Sequence, residues 1–331
     1  MRHVTVIGAG AWGTALAAAA RRAERDVKLY AREAEVVESV NTKNINETFL
    51  PDVELPEGIF ATSNMEAAVY GADAALLVVP SQFLRATAVE LAKYLPEDLP
   101  VLLAAKGIEQ KTLMLMNEVV EETLPGHPLA ALSGPSFAKE VARGLPAAIT
   151  LACADETLGE QLMQDLASSR FRIYQSSDVV GAEIGGAVKN VLAIACGIVE
   201  GRKLGDNAKA ALITRGLAEM MRLGEAKGAE METMVGLGGL GDLVLTCNAM
   251  QSRNFSFGFA VGEGQKPKDV LESRVAVTEG VANAISVTQL AKKMKIEMPI
   301  CETVHAIIHE GQDIDGAIIS LMERPLKSEF E

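Results

Sequence analysis

Short apolar runs rich in β-branched residues recur through the first half of the chain, at 3–7, 27–30, 75–79, 100–104, 129–132 and 147–151, with a weaker one at 171–174. Between them apolar positions repeat at helical spacing, notably over 11–22, 81–94, 111–122 and 156–168. Strands that alternate with helices predict a largely parallel sheet covered on both faces. After about residue 177 the strand signal stops. The remainder reads as helix, rich in Ala, Leu, Met and Gly, broken by "EGRKLGDN", "GLGGLGD" and "GEGQKPKD". The fold class expected is therefore α/β plus all-α: a doubly wound domain over 1–177, then an all-helical substrate and catalytic domain over 178–331.

The first strand runs into "VTVIGAGAWGTALAAAA", which places Gly8, Gly10 and Gly13 between a strand and an Ala-rich helix. In a Rossmann-type turn the first glycine permits the tight bend. The second lets a pyrophosphate approach the backbone, and the third lets helix and strand pack closely. Free N–H groups at the helix start then face the phosphates. At the end of the second strand, "VKLYAREAE" carries Arg32 where an acidic residue would bind an NAD ribose. Arginine there favours a 2′-phosphate and hence NADP(H), with NAD(H) still possible because Glu33 is next in the chain.

Composition narrows the class. With 49% hydrophobic and 23% charged residues the chain is globular, and a net charge of −13 speaks against a general nucleic-acid or anionic-membrane surface. The opening Met1-Arg2-His3 runs straight into a strand pattern with no secretory leader, and the apolar stretches "AALLVVP" and "VLAIACGIV" read as too short to cross a bilayer. Cys153, Cys196, Cys247 and Cys301 are scattered without a C-x-x-C pair, which suits reduced thiols in a cytoplasmic protein.

Candidate chemistry lies in two places. Ligands in doubly wound sheets bind beyond the carboxyl ends of the strands. There "AAKGIE" offers Lys106, and "LSGPSFAKE" offers Gly134 and Ser136 in a turn into a helix that can present backbone N–H groups to an anion or simply cap the helix. In the helical half, "GGAVKNVLAIACGI" sets Lys189 on a face of small residues. A buried ammonium needs an anion, a neutral state or a wet cleft, unless it snorkels to the surface. Asp242, closing the glycine run, can supply that anion or serve as an N-cap. Ser252, Arg253 and Asn254 together present the groups a phosphate ester needs. His305 and His309 stand one helical turn apart but lack H-E-x-x-H, and no metal site is expected.

The motifs "GAGAWGTALA", "AAKGIE", "SGPSFAKEVARGLPAAI", "GGAVKNVLAIACGI", "ITRGLAEM", "GLGGLGDLVLTC", "SRN" and "TEG" resemble, in order and spacing, the bacterial-type NAD(P)-dependent sn-glycerol-3-phosphate dehydrogenases over nearly the whole chain. The resemblance implies reversible reduction of dihydroxyacetone phosphate to sn-glycerol 3-phosphate, the precursor for phospholipid biosynthesis. It implies Lys189 as the proton-transferring lysine, with Lys106 and Asp242 beside it. Lys106, Gly134, Ser136, Asp242, Ser252, Arg253 and Asn254 match the family's substrate contacts. Ala11, Trp12, Arg32, Lys106, Ala138, Arg253, Val277 and Glu279 match its cofactor contacts. Ala11 stands where serine is frequent and Ser136 where threonine is.

Hydride arriving at a ketone carbon builds negative charge on oxygen, and a lysine about 3 Å away can stabilise that charge and donate the proton. Burial should lower the pKa of Lys189 and Asp242 should raise it, and the sequence leaves that balance open. β-Hydroxyacid dehydrogenases resemble G-x-x-x-K-x-x-x-N; Gly185 and Lys189 fit, but Ala193 stands at the asparagine position. A sensor that binds NADP without turnover would need no lysine, carboxylate and phosphate cluster. A homodimer is expected from the Ala/Gly/Met-rich helical half.

Overall fold

The computed structural model describes residues 1–274, 276–326 and 328. Ten strands are present among them: β1 His3–Ile7, β2 Asp26–Tyr30, β3 Ile45–Asn46, β4 Leu50–Glu54, β5 Ile59–Thr62, β6 Ala74–Leu77, β7 Val101–Leu103, β8 Leu129–Ser133, β9 Ala147–Ala152 and β10 Phe171–Ser176. Eight of them form one sheet in the order β10-β9-β8-β7-β6-β1-β2-β5, and β3 pairs with β4 separately. Every neighbouring pair in the large sheet is parallel except β8 with β9. The sheet is buried on both sides: in β7, Leu102 points into one apolar core while Val101 and Leu103 point into the other. This is the doubly wound arrangement that the alternating pattern predicts.

Three strands escaped the sequence reading. β5 is a four-residue edge strand whose Phe60 is 55% exposed, and β3 and β4 form a small antiparallel pair. Such short, half-solvated segments carry little periodic signal. The helix expected over 111–122 begins only at Met116, because Ile108 bridges back to Leu115 and delays it.

From Val179 onward the described residues form helices joined by short turns, with no strand among them. The helix Val179–Gly201 starts at Asp178, whose side chain accepts the Gly181 N–H at 2.7 Å. By length and composition this helix could cross a membrane, which corrects the reading of its apolar run as too short; yet it is buried throughout its apolar window. It is the axis of the helical half, packed by the helices Asp206–Lys227, Asp242–Cys247, Arg253–Gly262 and Glu279–Met294. Glycines allow the closest crossing. A Cβ on Gly197 would lie 2.1 Å from the Phe255 carbonyl oxygen, and one on Gly258 would lie 2.0 Å from that of Ile194. Only bare backbones fit at such separations. All four cysteines are free and buried.

Two buried glutamates cap neighbouring helices. Glu183 accepts the Asn117 N–H at 3.0 Å near the start of the helix Met116–Thr123, and Glu219 accepts those of Ile300 and Cys301 at 2.7 and 3.1 Å at the start of Pro299–His305. Burial pushes their carboxyls up to about 8 and about 7 respectively, against the hydrogen bonds that favour the charged form.

Candidate active site

The glycine turn follows β1. Gly8 has φ +114°, outside the range of ordinary side chains, and Gly13 lies so close to the first strand that a Cβ would meet the Gly8 carbonyl oxygen. Gly10 differs: a Cβ there would find no atom within 4 Å, so open space lies over its backbone. The helix Ala11–Arg22 that follows has no acidic residue in its first turn, which leaves its N–H dipoles unopposed. A bend open only to glycine at Gly8, open space at Gly10 and tight packing at Gly13 fit a dinucleotide pyrophosphate. Asn46 braces this turn from below, donating to the Ala9 carbonyl and the Thr14 hydroxyl at 2.8 Å each. Ala11, Trp12 and Ala138 are each half-buried and pack against the same large core. Beyond β2, the Arg32 side chain is 77% exposed and its Nη2 lies 3.3 Å from the carboxylate of Glu33, so the two side chains meet past the end of the strand.

Lys189 does not snorkel. It is 6% exposed, and its Nζ lies 2.5 Å from Asp242 Oδ1 and 3.1 Å from the hydroxyl of Thr246, to which it donates. Lys106, from the loop after β7, donates to Asp242 Oδ2 at 2.7 Å. One carboxylate thus holds two ammonium groups, one from each half of the molecule. Burial draws the pKa of Lys189 down to about 8; Asp242 opposes that fall and Lys106 adds to it. Burial acts to raise Asp242, but the two lysines together outweigh it and keep its carboxyl below the usual range. The site therefore holds a charged carboxylate beside a lysine that can change protonation near neutral pH.

Small residues make this geometry possible. A Cβ on Gly186 would come within 3.3 Å of the Lys106 Cγ, so the lysine stem lies across the bare helix at that point. The "GLGGLGD" stretch, read as a flexible break, is instead wound into a π-helical turn over Leu237–Gly241 and packs on Gly185, whose Cβ would sit 2.5 Å from the Gly238 carbonyl oxygen. That turn delivers Asp242 as the first residue of the helix Asp242–Cys247, where its side chain caps nothing and meets the lysines.

Gly134 (φ +143°) and Ser136 lie after β8, at the same carboxyl edge of the sheet as Lys106, and the Ser136 hydroxyl donates to the Gly134 carbonyl at 2.9 Å. Ser252 caps the helix Arg253–Gly262 by accepting the Phe255 N–H at 3.2 Å. Arg253 stands exposed at the start of that helix, while its guanidinium is crowded enough by protein to draw its pKa below the ordinary value, against the pull of Glu279. No hydrogen bond to that guanidinium is present among the described residues. Asn254 turns inward: its Nδ2 donates to Asn190 at 2.8 Å and its Oδ1 accepts the Gly280 N–H at 2.9 Å. Val277 is 43% exposed, and Glu279 accepts from the Ser81 hydroxyl at 2.9 Å. The rings of His305 and His309 lie 5.2 Å apart, and His309 Nε2 is 2.9 Å from the Val281 carbonyl oxygen. Among the described residues no cluster of three His, Cys, Asp or Glu side chains is arranged to hold a metal ion.

Sequence reasoning missed Thr246, Asn190, Asn46 and Ser81 as partners in the site. Only Thr246 carried a signal, standing one turn after Asp242 on a shared helix face.

A glycine turn shaped for a dinucleotide, on a doubly wound sheet, opposite a lysine–carboxylate pair in a helical domain, defines a nicotinamide-dependent dehydrogenase. The family model of the NAD-dependent glycerol-3-phosphate dehydrogenase N-terminus matches residues 3–159, and that of its C-terminus matches residues 178–319. The chain belongs to this family. It is 54% identical to the glycerol-3-phosphate dehydrogenase [NAD(P)+] of Rhodospirillum rubrum over 99% of this chain and 94% of that protein. Identity is also 54% with the same enzyme of Parvibaculum lavamentivorans, over 99% and 98%. The crystal structure of glycerol-3-phosphate dehydrogenase from Coxiella burnetii superposes with a TM-score of 0.94 at 41% identity, covering 98% of this chain and 99% of that one.

Proposed function

We propose that this protein reversibly reduces dihydroxyacetone phosphate to sn-glycerol 3-phosphate for phospholipid biosynthesis, with NADPH preferred and NADH used less well. The observation that carries the reading is the buried Lys189, held on Asp242 and opposed by Lys106 at the carboxyl edge of the sheet. Gly8, Gly10, Gly13, Ala11, Trp12 and Ala138 would hold the dinucleotide, with Arg32 on its 2′-phosphate and Arg253, Val277 and Glu279 toward its other end. When bound, the cofactor supplies the hydride. Lys189 donates the proton to the substrate oxygen from Nζ, and a pKa of about 8 suits it to give the proton in one direction and take it back in the other.

Asp242 keeps Lys189 charged before transfer and Thr246 orients its ammonium. Lys106 adds positive charge where the oxyanion develops. Arg253, unpaired by any described carboxylate at hydrogen-bond distance, would meet the substrate phosphate with Ser252, Gly134 and Ser136. Asn254 would then act by fixing Asn190 beside the site. No metal is assigned a part, since two lysines already supply the positive charge. The division of labour falls between 1–177 and 178–331, and the enzyme is read as a cytoplasmic homodimer without stable membrane insertion.

The test is the fall in NADPH absorbance when dihydroxyacetone phosphate is added to the purified protein. Saturable oxidation is expected. Oxidation with a β-hydroxyacid's keto form but not with dihydroxyacetone phosphate would favour the rival dehydrogenase class, and binding of NADPH without oxidation would favour a sensor.

A further inference from the structure

One helix turn joins both halves of the molecule beside the site. Glu279 and Asn283 stand one turn apart on the helix Glu279–Met294 and so share a face. Glu279 accepts the backbone N–H and the hydroxyl of Ser81, in the loop after β6, at 3.3 and 2.9 Å. Asn283, fully buried, donates its Nδ2 to the Lys106 carbonyl at 3.3 Å and to the Ala187 carbonyl at 3.2 Å. A single amide therefore ties the backbone of Lys106 to the helix that carries Lys189, two residues away from it. Gly107 closes the contact: a Cβ there would lie 2.4 Å from the Ser81 hydroxyl oxygen and 2.7 Å from Asn283 Oδ1.

We propose that Asn283 is a positioning residue for the reaction, which holds the Lys106 backbone against the Lys189 helix and thereby sets the Lys106 ammonium over Asp242. The inference rests on the reading of Lys106 and Lys189 as substrate-facing groups. A lysine has a flexible stem, so its head is placed only if its backbone and stem are both held. Gly186 gives the stem a floor, with a Cβ position 3.3 Å from Lys106 Cγ, and Asn283 holds the backbone. Without the amide the loop after β7 can lift away from the helix, and displacement of a catalytic head by about 1 Å is enough to cost on the order of a hundredfold in rate.

The experiment is a double-mutant cycle in full-length enzyme with Asn283→Ala and Lys106→Ala, reading kcat/KM for dihydroxyacetone phosphate, the pH profile of kcat and thermal unfolding. Asn283→Ala alone should lower kcat/KM by about tenfold or more, whereas in the Lys106→Ala background it should add less than about twofold, because the two residues act as a unit. The alkaline limb of kcat should move upward as Lys106 withdraws its influence from Lys189. Equal factors in both backgrounds, or a lower melting temperature with kcat/KM and pH profile unchanged, would overturn the proposal. If Asn283→Ala does not fold, Gly107→Ala, which presses on Asn283 and Ser81 from the loop side, takes its place in the same cycle with the same expected and contrary results. Turnover by the unmodified enzyme tests the underlying reading separately. Acetylation of Lys106, followed by mass spectrometry, reads the latch without turnover: faster modification in the variant is expected, and an unchanged rate contradicts it.

Discussion

Asp242→Asn removes charge from the centre of the site while nearly preserving its volume, so it isolates the electrostatics of Lys189. The carboxylate lies 2.5 Å from one ammonium and 2.7 Å from the other. At an effective dielectric of ~20, two unit charges ~4 Å apart interact by ~4 kcal/mol. At 1.36 kcal/mol per pKa unit that is a fall of ~3 units for Lys189. Starting from about 8, its pKa would then lie near ~5, and at pH 7 roughly one molecule in a hundred would carry the proton to be donated. We therefore expect kcat for dihydroxyacetone phosphate reduction to fall about a hundredfold at pH 7. The rate should partly recover as the pH is lowered toward 5.

Stability moves in a defined direction as well. Lys189 titrates in the fold below its ordinary 10.5, so between those values the unfolded chain binds more protons and stability rises with pH. In the variant that window extends downward, and breaking the buried pair should cost about 3–5 kcal/mol near neutrality, less whatever deprotonation of Lys189 recovers. The assay is kcat from pH 5 to 9 at saturating NADPH, paired with urea unfolding. A variant whose rate stays within about threefold of the original at every pH would refute the argument, since a charge effect of ~3 pKa units cannot hide in such a profile.

Arg253→Ala should raise KM for dihydroxyacetone phosphate by at least about tenfold with a smaller change in kcat, the scale of a lost charge-assisted contact. An unchanged KM would move the phosphate elsewhere, with Lys106 the next candidate. Arg32→Ala should reduce the preference for NADPH over NADH by roughly one to three kcal/mol in kcat/KM; a ratio indifferent to the change, or an original enzyme that prefers NADH, would mean that Glu33 reads the ribose. Glu183 titrates at about 8 in the fold, above its unfolded value, so the fold binds the extra proton and stability falls as pH rises from near 4.5 to 8. Glu183→Gln should flatten that fall by about 3 kcal/mol between pH 4.5 and 7 in denaturant titrations, and an unaltered slope would show that the carboxyl is not the group responsible.

The glycine turn, the sheet and the helical second half were legible because each is a local pattern. Gly8 and Gly13 mark turn and close packing within one strand–helix unit, and Lys189 is conspicuous as an ammonium among small residues. What was not legible depends on contacts between distant segments. Asp242 reads equally as a cap until the π-turn at Leu237–Gly241 brings it against Lys106, which is 136 residues away in the chain. Asn283 and Asn46 look like ordinary polar positions in sequence, and only the fold shows each donating to two acceptors at once. Edge strand β5 failed for the opposite reason: with Phe60 facing solvent, its pattern is too short and too mixed to read.

Whether Lys189 transfers the proton is decided by Lys189→Ala. The measurement is kcat for dihydroxyacetone phosphate reduction, taken together with NADPH affinity by fluorescence titration on the same preparation. Because Asp242 keeps a second ammonium, that of Lys106 at 2.7 Å, removal of Lys189 does not leave the buried carboxylate unpaired, and the variant should fold and bind NADPH. Turnover should fall by on the order of a hundredfold or more. Turnover within a few-fold of the original enzyme, with the cofactor bound normally, would contradict the account and assign the proton to another group.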